Sequence, residues 1–235
     1  MTSVIDLTIK YKNMLLLGLV ITLMVSICAL LIGMILGVLL AIMKTRKNKL
    51  LKGIATAYVE LIRGTPVMIQ LVMVYYGASL IGIKIPSTPV LAIAGTGGVT
   101  LDRLMAGIIG LGLNSGALIC EIVRSGIQSI DKGQNEAALS IGLTGFQSMT
   151  KIILPQAIRN ILPALGNEFV NMIKTSSQVT ILGLADLMYV SSLIRGQSYR
   201  PFAPFVIVFF IYFILTSLMS RSVKVYERHL NRSRN

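Results

Sequence analysis

Long runs of apolar residues without any charge alternate along the chain with short charged segments. Residues 20–43, 66–83 and 105–120 contain no Asp, Glu, Lys or Arg. An apolar run of about 20 residues is long enough to cross the roughly 30 Å hydrocarbon core of a bilayer as a helix. The pattern predicts an all-α polytopic membrane bundle in a single domain, residues 1–235, with spans at 14–43, 54–80, 104–124, 158–182 and 202–220.

Composition agrees with this class, because 54% of the residues are hydrophobic and only 13% are charged, against about 25% charged in a soluble domain. The net charge of +13 would suggest nucleic acid in a soluble protein. Here the basic residues flank the spans and form no continuous face, so we expect a lipid bilayer as partner and no nucleic acid.

The distribution of basic residues predicts the orientation of the chain. The first loop contains no acid and carries Lys44, Arg46, Lys47, Lys49 and Lys52. The C-terminal tail has one acid, Glu227, and carries Arg221, Lys224, Arg228, Arg232 and Arg234. The second loop has only Lys84, Asp102 and Arg103. Since cytoplasmic loops accumulate Lys and Arg, we expect the N-terminus outside, the C-terminus inside and segment 125–157 in the cytoplasm.

The first apolar run is a retained span in this interpretation. It is longer than the 7–15-residue core of a signal peptide and ends in a basic cluster. Small residues four apart, Gly33 with Gly37 and Gly112 with Gly116, predict close packing between spans.

The sequence predicts no phosphate, metal or catalytic site in this chain. The outer loop, 85–100, contains Gly95-Thr96-Gly97-Gly98, but no Gly-Lys-Ser/Thr follows, so a flexible loop is favoured over a phosphate site. Cys28 and Cys120 lie in apolar runs, and the single histidine, His229, lies in the basic tail. We therefore expect no metal site, no catalytic residue and no enzymatic activity.

The cytoplasmic segment 131–157 reads as a helix, a turn and a second helix. The first helix, 134–141, has a small apolar face of Ala137, Ala138 and Ile141, and Gly142 and Gly145 permit a turn with positive φ. The second helix starts at Phe146, and Pro155 is expected to kink or interrupt it. Residues 134–147 contain no Lys or Arg, which favours a protein groove over a lipid surface as the docking partner.

These residues carry a family resemblance. Glu136-Ala137-Ala138, Gly142 and Ile152-x-Leu154-Pro155 resemble the EAA signature of ABC importer permeases. Segments 58–66 with Gln70, 113–117 with 121–124, and 162–169 are similar to those of polar amino-acid permeases of the histidine, glutamine and arginine type. The outer loop matches nothing in that family.

The resemblance implies a type I importer permease that moves substrate inward by alternating access, in the cytoplasmic membrane of a bacterium. It implies three protein partners: a pair of ATPase subunits, a second permease subunit of the same or a homologous kind, and an extracytoplasmic amino-acid-binding protein. ATP and Mg would be bound by the ATPase, leaving no cofactor in this chain. The residues that it assigns to ATPase coupling are Glu136, Ala137, Ala138, Ile141, Gly142, Leu154 and Pro155.

Polar groups inside spans are costly and are therefore candidates for substrate contacts. The candidates are Gln70, Asn114, Ser115, Glu168, Lys174, Thr175, Ser176 and Gln178. Helix–helix hydrogen bonding is the alternative role for such residues. Some members of the family use the permease only as a gated path.

Thr175 stands where relatives often carry an acid, beside Lys174, which would repel a cation. The expected substrate is therefore a polar amino acid without a cationic side chain, such as glutamine or another neutral or disulfide-linked type, although Glu168 leaves a cationic substrate as the alternative. Glu168 is the remaining candidate counter-charge, since Glu121 is expected to pair with Arg124 at helical i, i+3 spacing. The alternative function is a stand-alone secondary transporter or channel, although five spans do not divide into equal repeats.

Overall fold

A computed structural model describes residues 4–46, 48–91 and 98–232, with side chains up to Arg228. Lys47, the Gly95-Thr96-Gly97 part of the outer loop and Arg234 lie outside the described residues, and the side chains of His229 and Arg232 lie outside them too.

The described chain is almost entirely helical, which confirms the predicted fold class. The α-helices are α1 (Val4–Lys10), α2 (Lys12–Thr45), α3 (Lys49–Arg63), α4 (Val67–Leu80), α5 (Leu101–Gln128), α6 (Lys132–Ser140), α7 (Gly145–Ser148), α8 (Leu154–Thr175), α9 (Leu187–Ser198) and α10 (Ala203–Arg232). A π-helical turn, Met149–Ile153, precedes α8, and a 3₁₀ segment, Ser176–Leu182, follows it. Two short antiparallel strands, β1 (Pro89–Leu91) and β2 (Val99–Thr100), pair within the outer loop.

Among the described residues, α2, α5 and α10 are each long and apolar enough to cross a membrane alone. Two further helix pairs pass the same test only together: α3 with α4, bent by 110°, and the run Gly145–Leu182 with α9, bent by 52°. The bundle has five spans when each bent pair is counted as one.

The predicted second span, 54–80, is not one helix. Helix α3 ends at Arg63 and α4 begins at Val67. Pro66 has no N–H to donate, and its ring disfavours the helical conformation for the preceding residue, so the helix cannot continue through this point. Sequence reasoning tolerated Pro66 inside a span and missed the break.

The region around the fourth span also differs in detail. Pro155 lies in the first turn of α8, and the chain stays helical because the wider π turn before it accommodates the missing N–H. At the far end, Asp186 caps the unpredicted α9 by accepting hydrogen bonds from the N–H groups of Met188 (3.1 Å) and Tyr189 (3.0 Å). The second bend lies directly before this cap.

Helices α2 and α5 meet along a seam of four glycines, which we call the glycine seam: Gly33, Gly37, Gly112 and Gly116. A Cβ added to Gly37 would lie 2.7 Å from Cβ of Ile119, and one added to Gly116 would lie 2.8 Å from Cδ2 of Leu36. The predicted close packing is confirmed, and the seam brings the polar centre of α5 into the bundle interior.

Candidate functional site

The break between α3 and α4 is closed by Gln70, which is buried. Its Nε2 donates to the carbonyl of Ile62 (2.7 Å) and contacts the carbonyl (3.1 Å) and hydroxyl (2.8 Å) oxygens of Thr65. Its Oε1 accepts from Nδ2 of Asn114 on α5, at 3.0 Å. Gln70 thus satisfies carbonyls that the break leaves without helical partners, and the structure brings Gln70 and Asn114 together as a helix–helix contact.

A second polar contact joins α5 to α8 deeper in the bundle. The hydroxyl of Ser115 donates to Oε1 of Glu168 at 3.2 Å, and both residues are buried. The Asn171 side chain also hydrogen-bonds Glu168. Glu168 is a carboxylate at membrane depth whose partners, in the described part of the chain, are neutral.

Glu168 lines a cavity of about 550 Å³ between α5 and α8, which we call the inner cavity. Its polar lining consists of Arg63, Glu121, Ser125, Ser129, Asn160 and Glu168. The volume lies within the range of small-molecule sites. The arrangement offers a solute one carboxylate, Glu168, and several neutral donors and acceptors.

The other carboxylate of the inner cavity, Glu121, is engaged by cations. Its oxygens lie 2.7 Å from Nζ of Lys44, 2.7 Å from Nη2 of Arg124 and 4.0 Å from Nη1 of Arg63. The predicted pair with Arg124 is present. Lys44 was not foreseen, because it approaches from the end of α2, far along the chain.

The remaining predicted substrate residues lie elsewhere. The hydroxyls of Thr175 and Ser176 donate to carbonyls of their own helix, Asn171 (3.0 Å) and Ile173 (2.8 Å). Lys174 is exposed and lines a different cavity, between α8 and α10. Gln178 is half-buried in the 3₁₀ segment. The structure therefore does not bring these four residues to Glu168, and their role in substrate binding stays a prediction.

The cytoplasmic segment folds as a capped helix, a glycine turn and a second helix. Gly142 has φ of 86°, as predicted, and lets Leu143 N–H reach the carbonyl of Ala138 (3.1 Å). Gly145 does not have positive φ; it is the first residue of α7, capped by a reciprocal pair between Thr144 and Gln147. Ser148 donates to Oδ1 of Asn135 at 2.7 Å, which holds α7 against α6.

The exposed apolar surface of this segment differs from the predicted face. Ala138 is buried within the chain, and α6 ends at Ser140, so that Ile141 lies in the turn. Three large side chains flank the turn and are exposed, which we call the coupling patch: Leu139 (47% exposed), Ile141 (78%) and Phe146 (78%). Sequence reasoning missed Leu139 and Phe146, although two large apolar residues beside a glycine turn without nearby charge were visible.

The other residues predicted for coupling lie on α6 and at the start of α8. Glu136 and Ala137 are exposed on α6, and Leu154 and Pro155 form the first turn of α8. They share one end of the bundle with the patch, and their contact with an ATPase stays a prediction.

Comparison with known proteins identifies the family of this chain. Residues 29–232 match the family described as the binding-protein-dependent transport system inner membrane component. The chain belongs to this family of permeases. An arginine transport system permease of Bacillus subtilis, ArtQ, is 36% identical over 224 residues, 95% of each chain. A Rickettsia felis protein named as the glutamine transport system permease GlnP is 38% identical over 214 residues, 91% of each chain.

Solved structures agree with the fold of this permease. A crystal structure of an amino acid ABC transporter with histidines has a TM-score of 0.87 and 39% identity, covering 97% of this chain and 99% of that one. The methionine transporter MetNI, in an inward-facing conformation, has a TM-score of 0.73 at 20% identity, covering 94% and 98%, and shows the fold alone.

Family membership confirms the predicted resemblance and the transport role. The permease is a membrane-embedded transporter component and not an enzyme, and the family implies an ATPase partner and a permease partner. Membership in this family decides against the alternative function, a stand-alone secondary transporter or channel.

Proposed function

We propose that this permease serves an importer that takes up polar amino acids into a bacterial cell, from an extracytoplasmic binding protein. The observation that carries the substrate class is the similarity, over nine-tenths of the chain or more, to permeases named for glutamine and arginine. The solved relative with a TM-score of 0.87 is also an amino acid transporter.

The inner cavity supplies the chemistry for such a substrate. A free amino acid carries an ammonium and a carboxylate, and Glu168 offers a counter-charge for the ammonium. Glu121 is neutralised by Lys44 and Arg124, so Glu168 is the one carboxylate of the inner cavity that no described cation engages. A cationic side chain would need a second carboxylate, because an unpaired buried ion costs several kcal/mol. This favours a neutral polar side chain, such as that of glutamine.

The coupling patch is the surface through which ATP-driven closure of the ATPase would act on the permease. The patch is apolar and exposed, and the described part of the chain does not cover it. An ATPase groove that covers Ile141 and Phe146 would bury them and transmit its closure through α7 and the π turn into α8, which carries Glu168. Each permease of a pair would then alternate between outward- and inward-open states, with ATP and Mg held by the ATPase subunits.

The orientation that we propose for the chain in the membrane rests on the distribution of its basic residues. Lys44, Arg63 and Arg124 gather near the end of the bundle that leads into the coupling segment. Basic residues concentrate on the cytoplasmic side. These positions support a topology with the N-terminus outside and the C-terminus inside.

The test is uptake by vesicles that contain the permease, its ATPase subunits and the binding protein, against labelled glutamine, arginine and histidine. We expect ATP-dependent uptake that is strongest for a neutral amino acid and falls at least about tenfold in Glu168→Gln, the loss expected when a charged group's partner is removed. The matched control is Glu60→Gln, which changes an exposed carboxylate on α3 outside the inner cavity.

Three results would contradict parts of this proposal. Uptake without ATPase subunits would reject the importer, and uptake of no amino acid would reject the substrate class. Preferred uptake of arginine would reject the argument from a single carboxylate.

A further inference from the structure

A second polar cavity, of about 370 Å³, lies between α8 and α10. We call it the basic cavity. Its charged lining is Lys174 from α8 with Arg221 and Lys224 from α10. Thr216, Ser217 and Ser220 add hydroxyls, and Val170 and Phe213 form an apolar wall. The transport mechanism proposed above, which rests on Glu168 and the coupling patch, assigns a step to none of these residues.

The three cations of the basic cavity have no anionic partner within the described chain. The ion pairs of the described residues all converge on Glu121, which lines the inner cavity and not the basic cavity. The acids closest along the two helices do not line the cavity: Glu168 is bonded to Ser115 of α5, and Glu227 is exposed one turn beyond Lys224. Three like charges around one cavity in a membrane helix pair are costly unless an anion joins them.

The position of the cavity makes lipid the available source of that anion. Helix α10 is the least buried of the three long apolar helices and exposes Phe209, Phe213 and Leu218. The close approach of Gly166 to Val223 sets Arg221 and Lys224 beside the middle of α8, where the apolar stretch of α10 gives way to its charged end. Lys174 lies about 12 Å further along α8, at 1.5 Å per residue, and a long lysine side chain can extend from there toward the interface.

The hydroxyls of the cavity are also available to a ligand. Thr216 donates to the carbonyl of Tyr212 in its own helix, at 2.7 Å. Ser217 and Ser220 carry no side-chain hydrogen bond within the described residues. A phosphate diester has acceptor oxygens for both hydroxyls and a negative charge for the cations.

We propose that the basic cavity binds the phosphate headgroup of an anionic phospholipid, with its acyl chains along the apolar surface of α10. Basic pockets between membrane helices are suited to such headgroups. Arg221 and Lys224 contact the phosphate at the interface, Lys174 reaches it from greater depth, and Ser217 and Ser220 donate hydrogen bonds. The basic cavity shares no lining residue with the inner cavity, where we propose that the substrate binds.

The test uses a tryptophan reporter, since the chain contains no Trp. The full-length chain with Phe213→Trp in the cavity wall is placed in vesicles that contain brominated phosphatidylglycerol or brominated phosphatidylcholine. We expect quenching to show an apparent preference for phosphatidylglycerol of at least about fivefold, the effect of one basic residue near an anionic lipid surface. The triple change Lys174→Gln, Arg221→Gln and Lys224→Gln should bring the ratio close to one.

Two control variants separate the cavity from general charge and from misfolding. Arg46→Gln with Lys49→Gln and Lys52→Gln removes the same charge from the first loop and should keep the preference. Lys174→Arg with Lys224→Arg keeps the charge of the basic cavity and should also keep the preference for phosphatidylglycerol. Loss of the preference in either control, or its survival in the cavity triple, overturns the proposal.

Two further arms exclude other occupants. Inorganic phosphate is added against chloride of equal ionic strength, and release of the lipid by phosphate alone would assign the cavity to a free anion. The measurement is repeated in the complex with ATPase and second permease, where quenching by phosphatidylglycerol should persist. Its loss for both lipids would identify a protein interface and reject the lipid site.

Discussion

The glycine seam and the coupling patch differ in whether their apolar surface is packed within the chain or exposed. In the seam, α2 and α5 approach so closely that even a single added carbon would collide with the facing helix. In the coupling patch, Ile141 and Phe146 are each 78% exposed, on a segment outside the bundle. The seam is buried within one chain, whereas the patch is exposed, and we propose that a partner covers it. Substitutions in the two regions should therefore fail in different assays.

The largest effect is expected from Gly37→Val. The new side chain would meet Ile119 and the carbonyl of Gly116, at 2.7 and 2.9 Å from its Cβ, and a helix backbone cannot yield as a flexible side chain does. Overpacking costs about 1–3 kcal/mol and occasionally more, and we expect the upper end here. Thermal unfolding of the detergent-solubilised permease measures it. Gly77→Val is the control, because nothing lies within 4 Å of its Cβ; equal losses in both would show that the seam is not tightly packed.

The coupling patch should show the converse behaviour in Ile141→Ala with Phe146→Ala. If each side chain contributes about 1.4 kcal/mol to the proposed interface, truncating both weakens association with the ATPase by about a hundredfold. The thermal stability of the isolated permease should change by less than about 0.5 kcal/mol per site, as for other exposed positions. Binding of the purified ATPase to the permease is the measurement.

The matched pair for that experiment is Leu80→Ala with Ile83→Ala, at the other end of the bundle. Leu80 is 87% exposed and Ile83 is 54% exposed. This pair should leave ATPase binding unchanged. If it weakens binding as much as the patch variant does, the patch is not the docking surface.

An intermediate effect, of about 1–3 kcal/mol, is expected from Gln70→Leu, because the carbonyl of buried Ile62 and the carbonyl of Thr65 lose the amide of Gln70 as donor. The control is Gln197→Leu, which changes an exposed glutamine of α9 whose amide makes no side-chain hydrogen bond in the described chain. Unfolding temperature and uptake KM are measured together. A changed KM with unchanged stability in Gln70→Leu would restore Gln70 as a substrate ligand.

The smallest effect is expected from Thr144→Ala, which removes half of the capping box of α7. Loss of an N-cap costs about 1 kcal/mol, here confined to the short helix behind Phe146. Amide hydrogen exchange should rise in residues 145–150 while the unfolding temperature of the bundle stays constant. Thr150→Ala is the control, since its hydroxyl bonds only carbonyls of its own helical stretch.

Local sequence patterns predicted the helices, the glycine seam, the Glu121–Arg124 pair and the positive φ of Gly142. Each depends on residues close together in the chain or on a period of one helix. The break at Pro66 was missed, because the apolar run continues across it and hydropathy does not register a bend. Sequence reasoning also missed which sides of α8 face which cavity. Glu168 and Lys174 are near in sequence but line different cavities, and only tertiary packing separates them.

The bend between α3 and α4 has a consequence for how the chain enters the membrane. Helix α4 has 14 residues, about 21 Å at 1.5 Å per residue, and is shorter than the hydrocarbon core. Helix α3 carries Lys49, Lys52, Glu60 and Arg63, which resist insertion. Neither half is a self-sufficient insertion signal, and Oε1 of Gln70 finds its donor only when Asn114 arrives on α5. We therefore expect α2 to enter the bilayer alone during synthesis, and α4 to complete its insertion together with α5.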